Sequence, residues 1–404
     1  MSEVTFEERM DRREKKRSEL LKKKKGTFRE ACYIRRQVSS GNYALDKALY
    51  SGFHFGRIHE VFGGESSGKT TASLIAAAQV NKINYETGKL DLTYSNPCSV
   101  MFADMEETAD ESWEQKLGFM RRMYGNNVDY ICGGDVACDT VKDLISDDIY
   151  SMIIVDCTDQ FYPLDILEGE IGMNDLGMKA RTLSKTMRKW QTALAQAQYR
   201  NKGFPWRIPA IILLSHGTPI FMDQHGRWES DAGNQVRFYS SVRIYLSKLK
   251  IQTDSSASHG IGAMQATIKK NKLNTAGHIA KYDIALKDLD NLKAGQIDNI
   301  KAIMTDLNDW EMCPKTKKGY EILGGIYKTK KEFKEKMYTE PEFLYHVWNL
   351  MTEKVNSGVV TLDVEDIPLS QSEEQEADIQ ITQNSINDLA KKKLTKKKET
   401  NDNE

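Results

Sequence analysis

The sequence predicts an α/β fold: a mostly parallel, twisted sheet with helices on both faces. Three observations carry this. Apolar runs of strand length alternate with helical stretches between about residues 38 and 287. The stretch Gly63-Gly64-Glu65-Ser66-Ser67-Gly68-Lys69-Thr70 fits the phosphate-loop pattern GxxxxGK[ST], set between one such run and a helical stretch. The apolar run Met152–Val155 ends in Asp156, which puts a carboxylate at the C-terminal edge of the sheet, where open α/β sheets bind ligands.

Residues 1–37 form a basic arm: the first 36 hold 13 Lys+Arg against 7 Asp+Glu. Met1–Lys25 suits a charged helix with few apolar positions, either solvated or packed on a neighbouring subunit as an oligomerisation segment. Residues 38–287 are the core. Strands are expected at Arg57–Gly63, Cys98–Ala103, Met152–Asp156, Ala210–Ser215 and Val242–Leu249, and helices at Thr70–Asn84 and Met178–Tyr199. The unbroken runs Ile153–Val155 and Ile211–Leu214 suit strands buried on both faces. Residues 288–360 read as a small α+β domain, with a Gly- and Lys-rich turn at Lys315–Gly325 and short helices at Glu332–Lys336 and Phe343–Met351. Within 361–404, residues 363–388 carry eight acids and no Lys or Arg, and 391–398 carry six lysines. That composition predicts a disordered tail, acidic and then Lys-rich.

The 404 residues have a formal net charge of −1, which excludes a globally basic nucleic-acid coat, so any basic patch must be local. No run approaches the length of a membrane span, and no apolar segment behind the N-terminal charges suggests a secretory signal. The six cysteines form no CxxC pair and have no zinc-ligand spacing to a histidine; reduced thiols in a cytoplasmic protein are expected.

The loop predicts its own chemistry. Its glycines let backbone N–H groups face phosphate, the helix N-terminus adds a positive dipole end, Lys69 suits the β- and γ-phosphates, and the Thr70 hydroxyl suits Mg2+. Asp156 supplies a second oxygen to the metal. The run Met101–Ala103 leads to Asp104-Met105-Glu106, and a carboxylate there suits the water that attacks the γ-phosphate. The run Ile211–Leu214 leads to Ser215-His216, a polar tip suited to sensing that phosphate. Phe221, His225, Arg227 and Trp228 combine cations and stacking surfaces suited to single-stranded DNA. Arg181, Lys185 and Arg188 share one helical face, either solvated or turned to phosphates.

Six segments together resemble one family. They are GNYALDKALYSGFHFGRIHEVFGGESSGKTT (Gly41–Thr71), FADMEETADESWEQKLG (Phe102–Gly118), IIVDC (Ile153–Cys157), EGEIGMNDLGMKARTLSKTMRKW (Glu168–Trp190), GNQVRFYSSVRI (Gly233–Ile244) and IKKNKL (Ile268–Leu273). In order and at compatible spacings, over about 230 residues, they resemble the RecA recombinases. The resemblance implies a RecA-type P-loop ATPase core and a DNA-dependent ATPase with ATP and Mg2+ as cofactors. It implies that Gly63 to Thr71 hold the nucleotide, with Lys69 on phosphate and Thr70 and Asp156 on the metal. By the same resemblance Glu106 is the catalytic carboxylate, Asp110 and Trp113 hold the adenine, and Lys270 and Lys272 reach a nucleotide bound to the adjacent subunit. Glu168, Gly169, Ile171, Gly172 and Met173 fall in the first DNA-binding loop, with Arg181 and Arg188 behind it. Phe221, Arg227 and Trp228 fall in the second, followed by Gly233 and Asn234. Gly26-Thr27-Phe28 resembles a strand that docks on the next subunit.

His216 departs from the family, which has glutamine at that strand tip; the strand-exchange recombinases of T4-like phages also carry histidine there. With the extra residues around Asn84–Asn96, this points to a bacteriophage relative. The implied function is homologous pairing and strand exchange in recombination, repair and recombination-dependent replication. The protein is then a homo-oligomeric helical filament on single-stranded DNA that pairs with double-stranded DNA. Single-strand-binding and mediator proteins are possible partners, no membrane is involved, and the compartment is the cytoplasm of a bacterial or phage-infected cell. The alternatives are a RecA-fold hexameric DNA helicase, against which the EGEIG and KKNK segments weigh, and an ATP-binding recombination accessory protein.

Overall fold

The parallel strand Tyr150–Asp156 is buried along its whole length, and its alternate apolar residues pack under helices on both faces of the sheet. The computed structural model describes residues 37–106, 110–117, 128–131, 134–160, 175–220, 228–249, 260–289 and 291–357. The basic arm with Gly26-Thr27-Phe28, the first-loop residues Glu168, Gly169, Ile171, Gly172 and Met173, the second-loop residues Phe221 and Arg227, and the tail lie outside the described residues.

The described chain opens with β1 (Gln37–Val38), α1 (Tyr43–Leu49), β2 (Phe53–His54), β3 (Ile58–Gly63) and α2 (Lys69–Val80). It continues with β4 (Ser99–Asp104), α3 (Glu111–Lys116), β5 (Val128–Ile131), α4 (Gly134–Ser146), β6 (Tyr150–Asp156), α5 (Asp175–Arg200) and β7 (Ala210–Pro219). Next come β8 (Trp228–Ser230), α6 (Gly233–Tyr239), β9 (Val242–Lys248), β10 (Ile261–Asn271) and β11 (Ile279–Ala285). The C-terminal part holds α7 (Asn299–Asp309), β12 (Lys315–Thr316), β13 (Gly319–Ile322), β14 (Gly325–Tyr327), α8 (Lys330–Thr339) and α9 (Pro341–Asn356).

The main sheet runs β11-β10-β9-β3-β7-β6-β4-β5, with β8 paired to β7. From β9 to β5 every pairing is parallel, while β10, β11 and β8 join antiparallel. The fold is therefore the expected α/β class with a mostly parallel sheet. Alternate residues of one strand enter different cores. Met152 and Ile154 join Leu74, Ile75 and Phe102 beneath α2. Ile153 and Val155 join Val141, Ile145, Leu183, Met187 and Trp190 beneath α4 and α5. This placement of apolar residues on both faces is what makes the strand sequences continuous rather than alternating.

A third core gathers Ile303, Leu307, Phe333, Met337 and Met351 of the C-terminal helices around Tyr43 of α1. The Tyr43 hydroxyl donates to Asp306 Oδ2 at 2.7 Å, Lys47 Nζ donates to the same oxygen at 2.7 Å, and Asn299 Nδ2 donates to the Gly41 carbonyl at 3.0 Å.

Several boundaries differ from the sequence reading. Helix α2 ends at Val80 rather than Asn84, because Asn81 turns its side-chain amide onto the Cys98 carbonyl at 3.1 Å. Beyond it, 82–97 closes on itself through bridges Ile83–Leu90 and Asn84–Pro97 and packs Gly88 against the Trp206 ring. Lys315–Gly325 is part of a three-stranded antiparallel sheet, not only a turn. Strands β5, β10 and β11 and helices α4 and α7 add to the expected elements.

Candidate active site

Parallel strands of one sheet end on the same edge, so their C-terminal residues meet in register. Gly63 of β3 pairs with His216 of β7, and Asp104 of β4 pairs with Asp156 of β6. The phosphate loop grows from this edge. Gly63 allows a close approach, since a Cβ there would lie 2.3 Å from the Leu246 carbonyl oxygen. Gly68 takes φ 84° to turn the chain into α2, a conformation that disfavours a side chain.

Within the loop, Lys69 Nζ donates to the Gly63 and Gly64 carbonyls at 3.1 and 3.0 Å. Glu65 and Ser66 are exposed, and Thr71 is partly buried in the first turn of α2. The buried Ser67 hydroxyl has no hydrogen-bond partner among the described residues. Thr70 Oγ1 donates to Asp156 Oδ2 at 2.7 Å. Burial, with Glu106 and Asp104 adding to it, pushes the Asp156 carboxyl up to about 6, against the Thr70 hydrogen bond and the Lys69 charge, which lower it. These residues fit a phosphate chain with Mg2+. A donor lysine, an unpartnered hydroxyl and a helix N-terminus face the loop, and a hydroxyl–carboxylate pair lies beside further carboxylates that disfavour its ionisation.

Across the same edge His216 Nε2 lies 3.2 Å from Glu106 Oε1, and the His216 N–H donates to Asp159 Oδ2 at 2.9 Å. The Thr158 and Ser215 hydroxyls are 2.9 Å apart and join the tips of β6 and β7. Cys157, buried after Asp156, completes a cluster with Glu106 and His216 whose ligand atoms all lie within 4.8 Å of one another. Sequence reasoning found Glu106 and His216 but not Asp159 or Cys157. The only signal was their adjacency to Asp156, which carries no information about what lies opposite.

The other predicted residues are spread over several elements. Asp110 starts α3, accepting from Ser112 Oγ at 2.6 Å and the Trp113 N–H at 2.9 Å; the first of these hydrogen bonds is the main reason its carboxyl is held low. Trp113 packs on the α2-side core with its ring against Gly295. Lys270 donates to the Arg237 carbonyl, and Lys272 Nζ to the Phe238 carbonyl at 2.7 Å, so both cap the end of α6. Burial, then the charges of Lys272 and Arg243, lower Lys270 to about 8. Gly233 and Asn234 are exposed at the start of α6, and Arg181, Lys185 and Arg188 are exposed along α5. Trp228 lies over the phosphate loop: a Cβ on Gly64 would be 3.3 Å from its ring, which runs 26° from the plane of Tyr245.

A buried ionic network backs the site. Glu60 of β3 accepts from Arg243 Nε at 2.5 Å and from the Ser230 hydroxyl. Arg243 also binds Glu229, which pairs with Arg237 Nη2 at 2.8 Å. Burial raises the Glu229 carboxyl, but Arg243 and Arg237 outweigh it and hold it low.

Residues 26–288 match the model of the RecA N-terminal domain. Among curated proteins, the chain is 30% identical over 257 residues to Protein RecA of Prochlorococcus marinus (strain AS9601), covering 61% of each chain. It is 29% identical over 257 residues to Protein RecA of Arthrospira platensis, again 61% of each, and 29% identical to that of Prochlorococcus marinus (strain NATL1A), over 61% of this chain and 59% of the relative. The chain thus spans about three fifths of the length of the relatives it matches. No helix among the described residues is long and apolar enough to cross a membrane. The family match runs from before β1 to beyond β11 and takes in the phosphate loop, Asp156 and Glu106 on their shared sheet edge, and on that ground the chain belongs to the RecA family.

Proposed function

We propose that this protein is an ATP-dependent DNA recombinase of phage type, which assembles as a helical filament on single-stranded DNA and pairs it with homologous duplex. The observation that carries the reading is the Thr70–Asp156 hydrogen bond at 2.7 Å, on the same sheet edge as Glu106 and His216, in a chain of the RecA family.

On this reading the loop Gly63 to Thr71 takes the phosphates, and Lys69 exchanges its two carbonyl partners for phosphate oxygens. Thr70 and Asp156 hold Mg2+, which offsets charge on the phosphates. Glu106 orients a water molecule and takes its proton. The water oxygen bonds to the γ-phosphorus, the bond from that phosphorus to the bridging oxygen breaks, and ADP leaves with the electron pair. His216 links Glu106 to β7, whose next segment enters the second DNA loop. Asp110 and Trp113 serve the adenine. Lys270 and Lys272 serve the nucleotide of the adjacent protomer. Arg181 and Arg188, the two loops with Phe221, Arg227 and Trp228, and Gly233 and Asn234 serve DNA.

The domain division of the proposal is an arm over 1–37, a core over 38–287, a C-terminal domain over 288–360 and a tail over 361–404. The histidine at position 216 supports the phage-type assignment. Single-strand-binding and mediator proteins are the proposed loading partners, and the host cytoplasm the proposed compartment. Electron microscopy with single-stranded DNA and ATP tests the reading. Helical filaments are expected; closed rings would favour a helicase, and DNA left bare would favour an accessory role.

A further inference from the structure

Glu106 and Cys157 follow the ends of β4 and β6, and His216 lies in β7, the strand next to β6. Their carboxylate oxygen, thiol sulfur and imidazole nitrogen converge within 4.8 Å of one another, with His216 Nε2 and Glu106 Oε1 at 3.2 Å. Ligand atoms around a tetrahedral zinc ion stand about 3.3–3.8 Å apart, given bonds of about 2.0–2.3 Å, so small side-chain rotations complete a three-ligand set.

The cluster is held from behind. The Met105 N–H donates to the Asp156 carbonyl at 2.6 Å, which ties the residue before Glu106 to the residue before Cys157. The His216 N–H is held by Asp159, and the Thr158–Ser215 pair locks β6 to β7. Cys157 is buried, while Glu106 and His216 are part-exposed, which leaves an entry path and an open fourth position. Oxygen-only ligation suits Mg2+ at Thr70 and Asp156, whereas a sulfur, a nitrogen and an oxygen suit a softer cation.

We propose that Glu106, Cys157 and His216 form a site for zinc, at which the ion arrests turnover by taking the Glu106 carboxylate from the attacking water. Binding replaces the His216–Glu106 contact, and the Cys157 thiol proton passes to solvent as the sulfur becomes a thiolate ligand. The binding step rests on three side chains alone; the arrest rests on the reading of Glu106 given above.

Cobalt(II) is the probe, because a cobalt–thiolate bond absorbs in the near ultraviolet. Full-length protein titrated with Co2+ should develop this band at one equivalent and lose it to added Zn2+. Cys157→Ser should abolish the band and weaken zinc binding by at least about tenfold. Its remaining ATP turnover should resist zinc concentrations that stop the wild type. Should Cys157→Ser not fold, His216→Gln gives the same test through a narrower coordination shell and a weakened band. No band in the wild type, or an unchanged band in either variant, overturns the site. A wild type that binds cobalt but hydrolyses no ATP would instead refute the reading of Glu106 and leave the metal site standing.

Discussion

Arg243 Nε donates to Glu60 Oε2 at 2.5 Å inside the sheet, where Glu60 has no solvent exposure and Arg243 almost none. Glu60 lies in the middle of β3, three residues before the phosphate loop begins at Gly63. Its other carboxylate oxygen accepts from Ser230 on β8, and Arg243 reaches Glu229 on the same strand. The strand that feeds the phosphate loop and the strand that follows residues 221–227 are thus fastened to one guanidinium. With both Glu60 oxygens held, by Arg243 and by Ser230, the pair favours one arrangement of its members, whereas leaving either buried charge without its partner is costly.

Removing one partner should therefore hurt more than removing both. Arg243→Met leaves Glu60 buried without its cation and should cost about 3–5 kcal/mol of stability. Adding Glu60→Gln to it should return at least half of that loss, since a neutral amide is cheaper to bury than a carboxylate. Urea unfolding of the two proteins decides this. A double variant no more stable than the single one would show that the pair is not coupled.

The two ends of the proposed hydrolytic path should separate in experiment. Lys69→Ala removes the cation that faces the phosphates and should weaken nucleotide binding at least tenfold, with loss of ATP-dependent filaments. Glu106→Gln keeps the side-chain shape and removes the base, so binding and assembly should persist while turnover falls by about 10²–10⁴-fold. Fluorescent-nucleotide titration and phosphate release measure the two effects. Wild-type turnover in Glu106→Gln would remove Glu106 from its role.

What was legible in the sequence follows from geometry. Strands β6 and β7 are buried on both faces over Met152–Val155 and Ala210–Leu214, so their apolar runs are unbroken and stand out. Strand β3, broken by His59 and Glu60, was bounded to within a residue beside the phosphate loop, while β7 runs on to Pro219, past the expected end at Ser215. The phosphate loop is contiguous and announces itself. Strand β10 is different: Ile261, Ala263 and Gln265 alternate with the more buried Gly262, Met264 and Ala266, and Lys269, Lys270 and Asn271 end it on polar residues. That pattern resembles a loop until β9 and β11 are set beside it. The Glu106–Cys157–His216 cluster was invisible for another reason. His216 sits on β7 while Glu106 and Cys157 follow the ends of β4 and β6, and only the order β4-β6-β7 makes them neighbours.

His59 should shape the acid stability of the protein. Its Nε2 accepts from the His54 N–H at 3.1 Å, so the ring proton sits on Nδ1, 3.3 Å from the Ile211 carbonyl. Burial, then the nearby His54, lower its pKa to about 3. A base depressed in the fold contributes stability above its unfolded pKa, and that contribution is lost as pH falls from about 6.5 toward 3. Asp46 acts in the opposite sense. Burial raises it to about 6, so its contribution is present at low pH and lost as pH rises through about 4 to 6. His59→Gln preserves an acceptor and a donor without titrating. Between pH 6 and 4 its unfolding free energy should fall less steeply than the wild type's, by up to about 1.4 kcal/mol per pH unit. Parallel slopes in urea titrations at several pH values would contradict this.

The last expectation concerns the two lysines at the end of β10. In the single chain they cap carbonyls at the C-terminus of α6, and Phe238, whose carbonyl Lys272 holds, is 69% exposed, so the pair lies beside an exposed aromatic ring. A nucleotide phosphate on a neighbouring protomer offers both cations a stronger partner than a helix end. If they serve that neighbour, Lys270→Ala/Lys272→Ala protein carries an intact phosphate loop and Glu106 but fails the protomer next to it. Glu106→Gln protein has the complementary defect. Each alone should be a poor ATPase, yet a mixture restores complete sites wherever the two meet across a head-to-tail contact. Random equimolar mixing makes about a quarter of contacts complete, so about a quarter of wild-type turnover is expected. The recovered activity should rise with DNA length and vanish in dilute, unassembled protein. A mixture no more active than the mean of its components would place Lys270 and Lys272 in the structure of their own chain, as caps of α6, and not in their neighbour's site.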